Sequence, residues 1–247
     1  MIGVLTLEPL DTLQAFTTTD HLQPALQSLY ERVGFSDPLP KKYAYANTLP
    51  FLHRYLQARR LLASTGQNDI HIQPLLLYYS FTEFMKAIVL FHDPEYPSTT
   101  SVLQHGVSTR KRKKKDYRFI DDEVKIQQNG LLPLLNRKMF HVKMNDGERF
   151  TMGKLFRELD ELKAILQHDR RLSNQHKDAR NLPPLFVHYL ILYNLSMICR
   201  YETEWWGELI SSRSSIDLPL IEHYLRIAPL HICEEIAIEM RKHLIRD

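Results

Sequence analysis

PLLLYYSFTEFMKAIVLF, residues 74–91, is the stretch of sequence that decides the fold. Its apolar side chains cover almost every face of a helix, and only Glu83 and Lys86, three residues apart, form a polar stripe. Pro74 suits the first turn of such a helix, because the N–H that proline lacks would have no helical partner there. A helix that is apolar nearly all round belongs in a protein interior, so the stretch predicts a central, buried helix.

A second apolar run, residues 185–199, predicts another central helix that contains His188 and Asn194. A membrane-spanning helix needs about 20 mostly apolar residues. This run is shorter and the first carries two charges, so we expect both in the core of a soluble protein with no membrane partner. The N-terminus lacks the basic region of a signal peptide, and Cys199 and Cys233 lie in apolar patterns typical of reduced, buried cysteines. We therefore expect a cytoplasmic protein.

Helical patterns flank these two runs and predict a single all-α domain over residues 1–247, with about seven or eight helices. They include helices at 152–167, 218–227 and 229–245. Residues 95–150 have a different pattern, with prolines, a Ser/Thr cluster and two stretches of alternating polarity, at 124–127 and 140–144. We expect a small β-hairpin insertion here, with Asn129-Gly130 as a turn.

The charge of the chain is concentrated in one place. Residues 110–118, called the basic segment below, contain seven Lys or Arg residues and one Asp. Taking them away from the 32 basic and 29 acidic residues leaves 25 against 28, a net charge of −3. The predicted nucleic-acid-binding residues are therefore Arg110, Lys111, Arg112, Lys113, Lys114, Lys115, Tyr117 and Arg118.

Two other interpretations of the basic segment stay open. Its charge could be balanced by nearby acids, of which Asp116, Asp121, Asp122 and Glu123 are candidates, or it could dock on an acidic protein surface. However, crowded like charges repel one another and cost stability, which favours an anionic partner.

His105 is the candidate for chemistry. With Arg110 it could serve a ribonuclease-type enzyme, as a general acid or base beside a bound phosphate. The alternative is a structural role, in a tight turn that Gly106 permits. Neither role requires a cofactor, and we expect none.

No metal site is predicted, because the twelve histidines and two cysteines show no His-x-x-x-His or Cys-x-x-Cys spacing. Asp116 with Glu123-Val124-Lys125 is similar to the acid and lysine set of metal-dependent nucleases. Its short spacing and dense cations count against that interpretation. The polar residues on the second central helix, which include Tyr189 and Arg200, favour a buried network with Glu83 and Lys86 over a ligand site.

Several motifs resemble the YaaC-like protein family over residues 40–245. They are IQPLLLYY (72–79), DPEYP (93–97), SVLQHGVSTRKRKK (101–114), FIDDEVK (119–125), NGL (129–131) and PLFVHYL (184–190). The resemblance implies a helical fold and specifies no reaction. The two central helices are more distantly similar to HEPN-like domains, some of which are ribonucleases. The Arg and His pair of those enzymes is not supported. The candidate pairs are Arg170 or Arg171 with His176, and Arg226 with His231, and their number is no larger than chance would give.

Together these features predict a non-catalytic binding protein whose basic segment engages an anionic partner, nucleic acid in the first instance. A HEPN-like ribonuclease that uses His105 and Arg110, and a protein-interaction module, are the alternatives. The sequence does not specify an oligomeric state.

Overall fold

A computed structural model of the chain describes residues 8–109, 118–167, 180–213 and 215–245. Ten α-helices lie within this part of the chain, and three short strands form one sheet. The helices are α1 (Glu8–Asp11), α2 (Thr19–Arg32), α3 (Leu39–Thr65), α4 (Gln73–His92), α5 (Leu131–Leu135), α6 (Met152–Arg157), α7 (Asp160–Leu166), α8 (Pro184–Tyr201), α9 (Thr203–Ser212) and α10 (Asp217–Leu244). The strands are β1 (Val107–Thr109), β2 (Glu123–Ile126) and β3 (Arg149–Thr151). The predicted all-α class with a small β insertion is confirmed.

The chain divides into two compact units. Unit 1 comprises Met1–Gln67, Tyr79–Thr99 and Pro229–Asp247, and unit 2 comprises Asn68–Tyr78 and Thr100–Ala228. The divisions fall inside α4 and inside α10. The expectation of a single domain stays a prediction.

Unit 1 is helical in its described part. α2 packs on α3, and the Tyr30 hydroxyl, which is fully buried, donates a 3.0 Å hydrogen bond to the main-chain oxygen of Leu90 in α4. The polar stripe predicted on α4 is present, since Lys86 lies 2.6 Å from Glu83 and Arg54 lies 3.0 Å from the same carboxylate. Charged groups on an otherwise buried helix are thus held within local ion pairs.

Unit 2 is built around α8 and the antiparallel sheet, in the order β1-β2-β3. Fourteen of the eighteen residues of α8 are buried, as the apolar run predicts. β2 has Val124 and Ile126 buried, with Lys125 between them, so the predicted alternation is confirmed there. Thr151 caps α6 by accepting a hydrogen bond from the N–H of Lys154.

Three predicted elements are wrong in detail. Residues 140–144 form no strand: Asn136–Phe140 is a π-helical turn, His141 is left-handed with φ 53°, and the third strand is β3. The helix predicted over 152–167 is two helices, α6 and α7. The two helices predicted around Pro229 are one, because α10 continues through that proline.

α4 is long and apolar enough to cross a membrane by length and composition, and 72% of its most apolar window is buried inside the protein. The core helix of a soluble protein passes the same test. The expectation of a soluble, cytoplasmic protein therefore stays a prediction.

Candidate functional site

The basic segment begins and ends on fixed structure in unit 2. Seven of its predicted binding residues lie outside the described residues: Arg110, Lys111, Arg112, Lys113, Lys114, Lys115 and Tyr117. β1 ends at Thr109, immediately before the segment, and the last residue of the segment is Arg118. Thr109 pairs with Val124 across the sheet, so the segment belongs to the connection between two neighbouring antiparallel strands.

A buried carboxylate anchors the C-terminal end of the basic segment. Asp217, at the start of α10, is 1% exposed and accepts a 2.9 Å hydrogen bond from the main-chain N–H of Phe119. The guanidinium of Arg118 lies 3.9 Å from the other oxygen of the same carboxylate. Phe119 is itself fully buried. Arg118 therefore helps to anchor the segment and also contributes to its positive charge.

The acidic residues that follow the segment have structural roles of their own. Asp122 is 3% exposed, and its carboxylate accepts hydrogen bonds from Asn194 at 3.1 Å and from the N–H of Glu123 at 3.0 Å. Glu123 lies 3.2 Å from Arg149 on the neighbouring strand. Asp121 is exposed, and Asp116 lies outside the described residues. Two of the acids proposed to balance the segment thus stabilise α8 and the sheet.

His105 lies in a cluster of aromatic side chains, called the His105 cluster below. Its Nδ1 is 2.7 Å from the hydroxyl of Tyr78, and the rings of Tyr78 and Tyr193 have centroids 5.6 and 5.5 Å from its own. Both tyrosines are buried, whereas His105 is exposed. Burial raises the pKa of Tyr193, although Arg200 opposes the shift. The buried rings of Tyr78 and Tyr193 therefore orient an imidazole that is exposed to solvent.

The backbone around His105 is held by two glycines in close approach. Gly106 has φ 78° and Gly130 has φ 129°, and a Cβ on Gly130 would lie 2.3 Å from the main-chain nitrogen of Gly106. The main-chain oxygen of His105 accepts hydrogen bonds from the Tyr189 hydroxyl at 2.8 Å and from the N–H of Leu132 at 3.2 Å. Only glycine adopts these conformations without strain. Gly106 thus permits the tight turn that the structural interpretation of His105 requires.

His105 and the basic segment start from opposite ends of β1. His105 precedes the strand by two residues, and Arg110 follows its last residue, Thr109. A three-residue strand is about 10 Å long. General acid-base catalysis needs groups within hydrogen-bond reach of the same reacting atom. Arg110 lies outside the described residues, so the pairing of His105 with Arg110 stays a prediction.

The polar residues of α8 contact groups within unit 2. His188 Nδ1 is 3.1 Å from the hydroxyl of Tyr224, which is fully buried and whose pKa burial raises well above its usual value. Asn194 donates to Asp122, and Tyr189 donates to the carbonyl of His105. These contacts support a buried polar network on α8, but the partners that the structure describes are Tyr224, Asp122 and the His105 carbonyl, whereas the predicted partners Glu83 and Lys86 pair with each other.

Local sequence patterns missed one group of potential ligands, His92, Glu239 and His243 in unit 1. Their ligand atoms all lie within 4.8 Å of one another. The search for His-x-x-x-His spacing could not find it, because the helical pair is Glu-x-x-x-His and the third residue comes from another helix.

The fold and the sites define a class of protein: a helical protein with a three-stranded antiparallel insertion whose first two strands are connected through a basic segment. No curated protein and no solved structure matches the chain significantly. The model of the YaaC-like protein family matches residues 14–177 and 167–240. The chain therefore belongs to the YaaC-like family, as its motifs predict.

Proposed function

We propose that the protein binds an anionic macromolecule, nucleic acid, through the basic segment. The observation that carries the proposal is the charge: seven cations and one acid within nine residues, on a chain whose other residues sum to −3. Phosphate backbones attract such segments by releasing condensed counterions, and this attraction needs no particular base sequence. Tyr117 supplies a ring on which a base could stack.

The anchors of the segment support this proposal. Thr109 is paired in the sheet. The main-chain N–H of Phe119, the residue after Arg118, donates a hydrogen bond to the buried carboxylate of Asp217. With both ends attached to unit 2, the segment is a connection within the fold and not a free chain end, so binding should cost less chain entropy than it would for a free tail.

The test compares two triple variants that each remove three positive charges. The first is Arg112→Ala, Lys113→Ala, Lys114→Ala, and the control is Lys41→Ala, Lys42→Ala, Lys143→Ala, at three exposed lysines elsewhere. Binding of single-stranded and duplex RNA and DNA is measured by fluorescence anisotropy from 25 to 300 mM salt. Each lost phosphate contact lowers the slope of log affinity against log salt by about 0.7 to 0.9, so the first variant should lose up to about 2.1 to 2.7 in slope.

The control should keep the slope of the unmodified protein, because its three lysines lie outside the basic segment. Equal losses in both variants would show that the attraction comes from net charge alone and would overturn the proposal. Binding without any salt dependence, or no binding at all, would overturn it too; an acidic protein that co-purifies only with the intact segment would then favour the docking alternative. The ribonuclease alternative predicts that His105→Ala preserves binding and abolishes cleavage.

A further inference from the structure

Two imidazoles and a carboxylate meet in unit 1, on the ends of two helices. His92 is the last residue of α4, and Glu239 and His243 lie near the end of α10. The His92 Nε2 is 3.8 Å from one oxygen of Glu239, and the His243 Nδ1 is 3.5 Å from the same oxygen. One carboxylate oxygen thus lies close to both rings. We call these three residues the His-Glu-His cluster.

The two helices position these side chains without help from a ligand. Glu239 and His243 are four residues apart, so they lie on the same face of α10. The ring of Phe91 stacks on His243 at 5.3 Å, and Arg32 donates a 2.6 Å hydrogen bond to the main-chain oxygen of His243. The three side chains are 11–21% exposed. The cluster is therefore preorganised and partly shielded, but open to solvent.

His92 provides an independent indication of a ligand. Its Nε2 is buried and has no hydrogen-bond partner among the residues that the structure describes. The 3.8 Å to Glu239 is too long for a hydrogen bond. Buried polar atoms almost always have a partner, and one without a partner calls for a physical explanation such as an ion. A cation beside Glu239 would give this nitrogen a bond.

His243 has the tautomer that metal binding needs. Its Nδ1 lies 2.8 Å from the main-chain oxygen of Glu239, which can only accept a hydrogen bond, so Nδ1 carries the proton and Nε2 carries the lone pair. A metal-bound histidine typically donates its other N–H in this way.

We propose that His92, Glu239 and His243 bind a divalent transition-metal ion of the Zn²⁺ type. Imidazole and carboxylate ligands suit Zn²⁺ and its neighbours, whereas Mg²⁺ and Ca²⁺ prefer oxygen ligands alone. In a tetrahedral site with bonds of about 2.0–2.1 Å, neighbouring ligand atoms are roughly 3.3 Å apart. The His92 Nε2 lies 3.8 Å from the Glu239 carboxylate, and the ligand atoms of the three residues all lie within 4.8 Å of one another, so modest side-chain movements would reach that geometry.

Three protein ligands leave a fourth position, which a water molecule would take because the cluster is partly exposed. The ion would join the end of α4 to the end of α10 within unit 1. An ion that binds only the folded protein stabilises it by mass action. The site shares no residue with the basic segment or the His105 cluster, so its test is independent of the proposed nucleic-acid binding.

The experiment uses the full chain, freed of metal with a chelator and titrated with Zn²⁺ in a competition assay with a chromophoric chelator. Co²⁺ is titrated in parallel, because its visible absorption reports coordination directly. The variants are His92→Gln, Glu239→Gln and His243→Gln, and His53→Gln, at an exposed histidine of α3, is the matched control. Thermal unfolding of each protein is recorded with and without Zn²⁺.

The intact protein and His53→Gln should bind one Zn²⁺ with equal affinity, show intense tetrahedral Co²⁺ absorption and unfold at a higher temperature with Zn²⁺. Each cluster variant should bind at least about tenfold to a hundredfold more weakly, since even the outer partners of metal ligands contribute that much. A variant that fails to fold is replaced by its alanine counterpart. Equal affinity in the control and all three cluster variants, or no stoichiometric binding by the intact protein, would falsify the site.

Discussion

The hydrogen bond between Asn194 and Asp122 makes an asymmetric prediction about stability. Both residues are buried, at 0% and 3% exposure, and Asn194 donates from Nδ2 to the carboxylate at 3.1 Å. The other side-chain atom of Asn194, Oδ1, is buried without a partner among the described residues. The two partners therefore differ, because Asn194 also buries an oxygen that is unpaired in the described part of the chain.

Asn194→Leu removes a hydrogen bond to a charged group, a loss of about 1.5–3 kcal/mol. It also removes the buried Oδ1, whose burial without a partner costs about 1–3 kcal/mol. The two effects oppose each other, so the net loss in the free energy of unfolding should be about 1 kcal/mol or less. Asp122→Ala has no such compensation, because it deprives both Asn194 and the N–H of Glu123 of an acceptor, and should cost about 3 kcal/mol.

The measurement is urea unfolding followed by tryptophan fluorescence, since Trp205 and Trp206 both lie on α9 in unit 2. Asp121→Ala, at the exposed neighbouring acid, is the control and should change stability by no more than about 0.5 kcal/mol. If Asn194→Leu costs as much as Asp122→Ala, the orphaned oxygen does not offset the lost bond and the reasoning is refuted.

Two further predictions concern glycine packing and thiol reactivity. Gly130→Ala should lose about 3 kcal/mol or more of unfolding free energy, because the new Cβ would collide with the backbone of Gly106. Gly207→Ala should gain about 0.5–1 kcal/mol, because Gly207 lies in α9 and its added Cβ would have no atom within 4 Å. Thermal melting of both variants measures the difference. Burial raises the pKa of Cys233 to about 12 and also raises that of Cys199, so both thiols stay protonated at pH 8. A disulfide reagent should therefore label them at a detectable rate only in denaturant, and rapid labelling of the native protein would contradict this.

Features that depend on near neighbours in the chain were predictable. α4 and α8 follow from their apolar composition, and β2 follows from the alternation of Val124 and Ile126. The cap at Thr151 and the pair between Glu83 and Lys86 depend on residues three positions apart. In each case the interaction that stabilises the element lies within about one helical turn or along one strand, so spacing is sufficient evidence.

The stretch at 140–144 shows how a side chain overrides a correct pattern. Asn136 donates from Nδ2 to the oxygen of Val142 and accepts from its N–H, both at 2.9 Å. One amide side chain thus takes both main-chain groups that a strand partner would bond. The left-handed conformation of His141 then turns the chain away from an extended path. The alternating polarity could not reveal this, because it carries no information about Asn136.

Tertiary packing overrides local signals in the two helical corrections. α10 continues through Pro229, and the burial of Ala228, Ile232 and Cys233 on the same helix outweighs the hydrogen bond that the proline lacks. The break between α6 and α7 follows Glu158, whose carboxylate accepts hydrogen bonds from the N–H groups of Arg180 and Leu182. Those partners lie more than twenty residues away, so the leucine spacing gave no sign of them.

The same distinction separates the two proposed sites. The basic segment is visible in the sequence because repulsion among its charges depends on residues that are adjacent in the chain. The His-Glu-His cluster depends on Glu239 and His243, which share a helix face, and on His92, which only the packing of unit 1 brings within 4.8 Å. A pattern search limited to one helix therefore finds two ligands at most, and two ligands do not define a metal site. The prediction that no metal is bound rested on that limit, and it is the prediction that the zinc titration tests most directly.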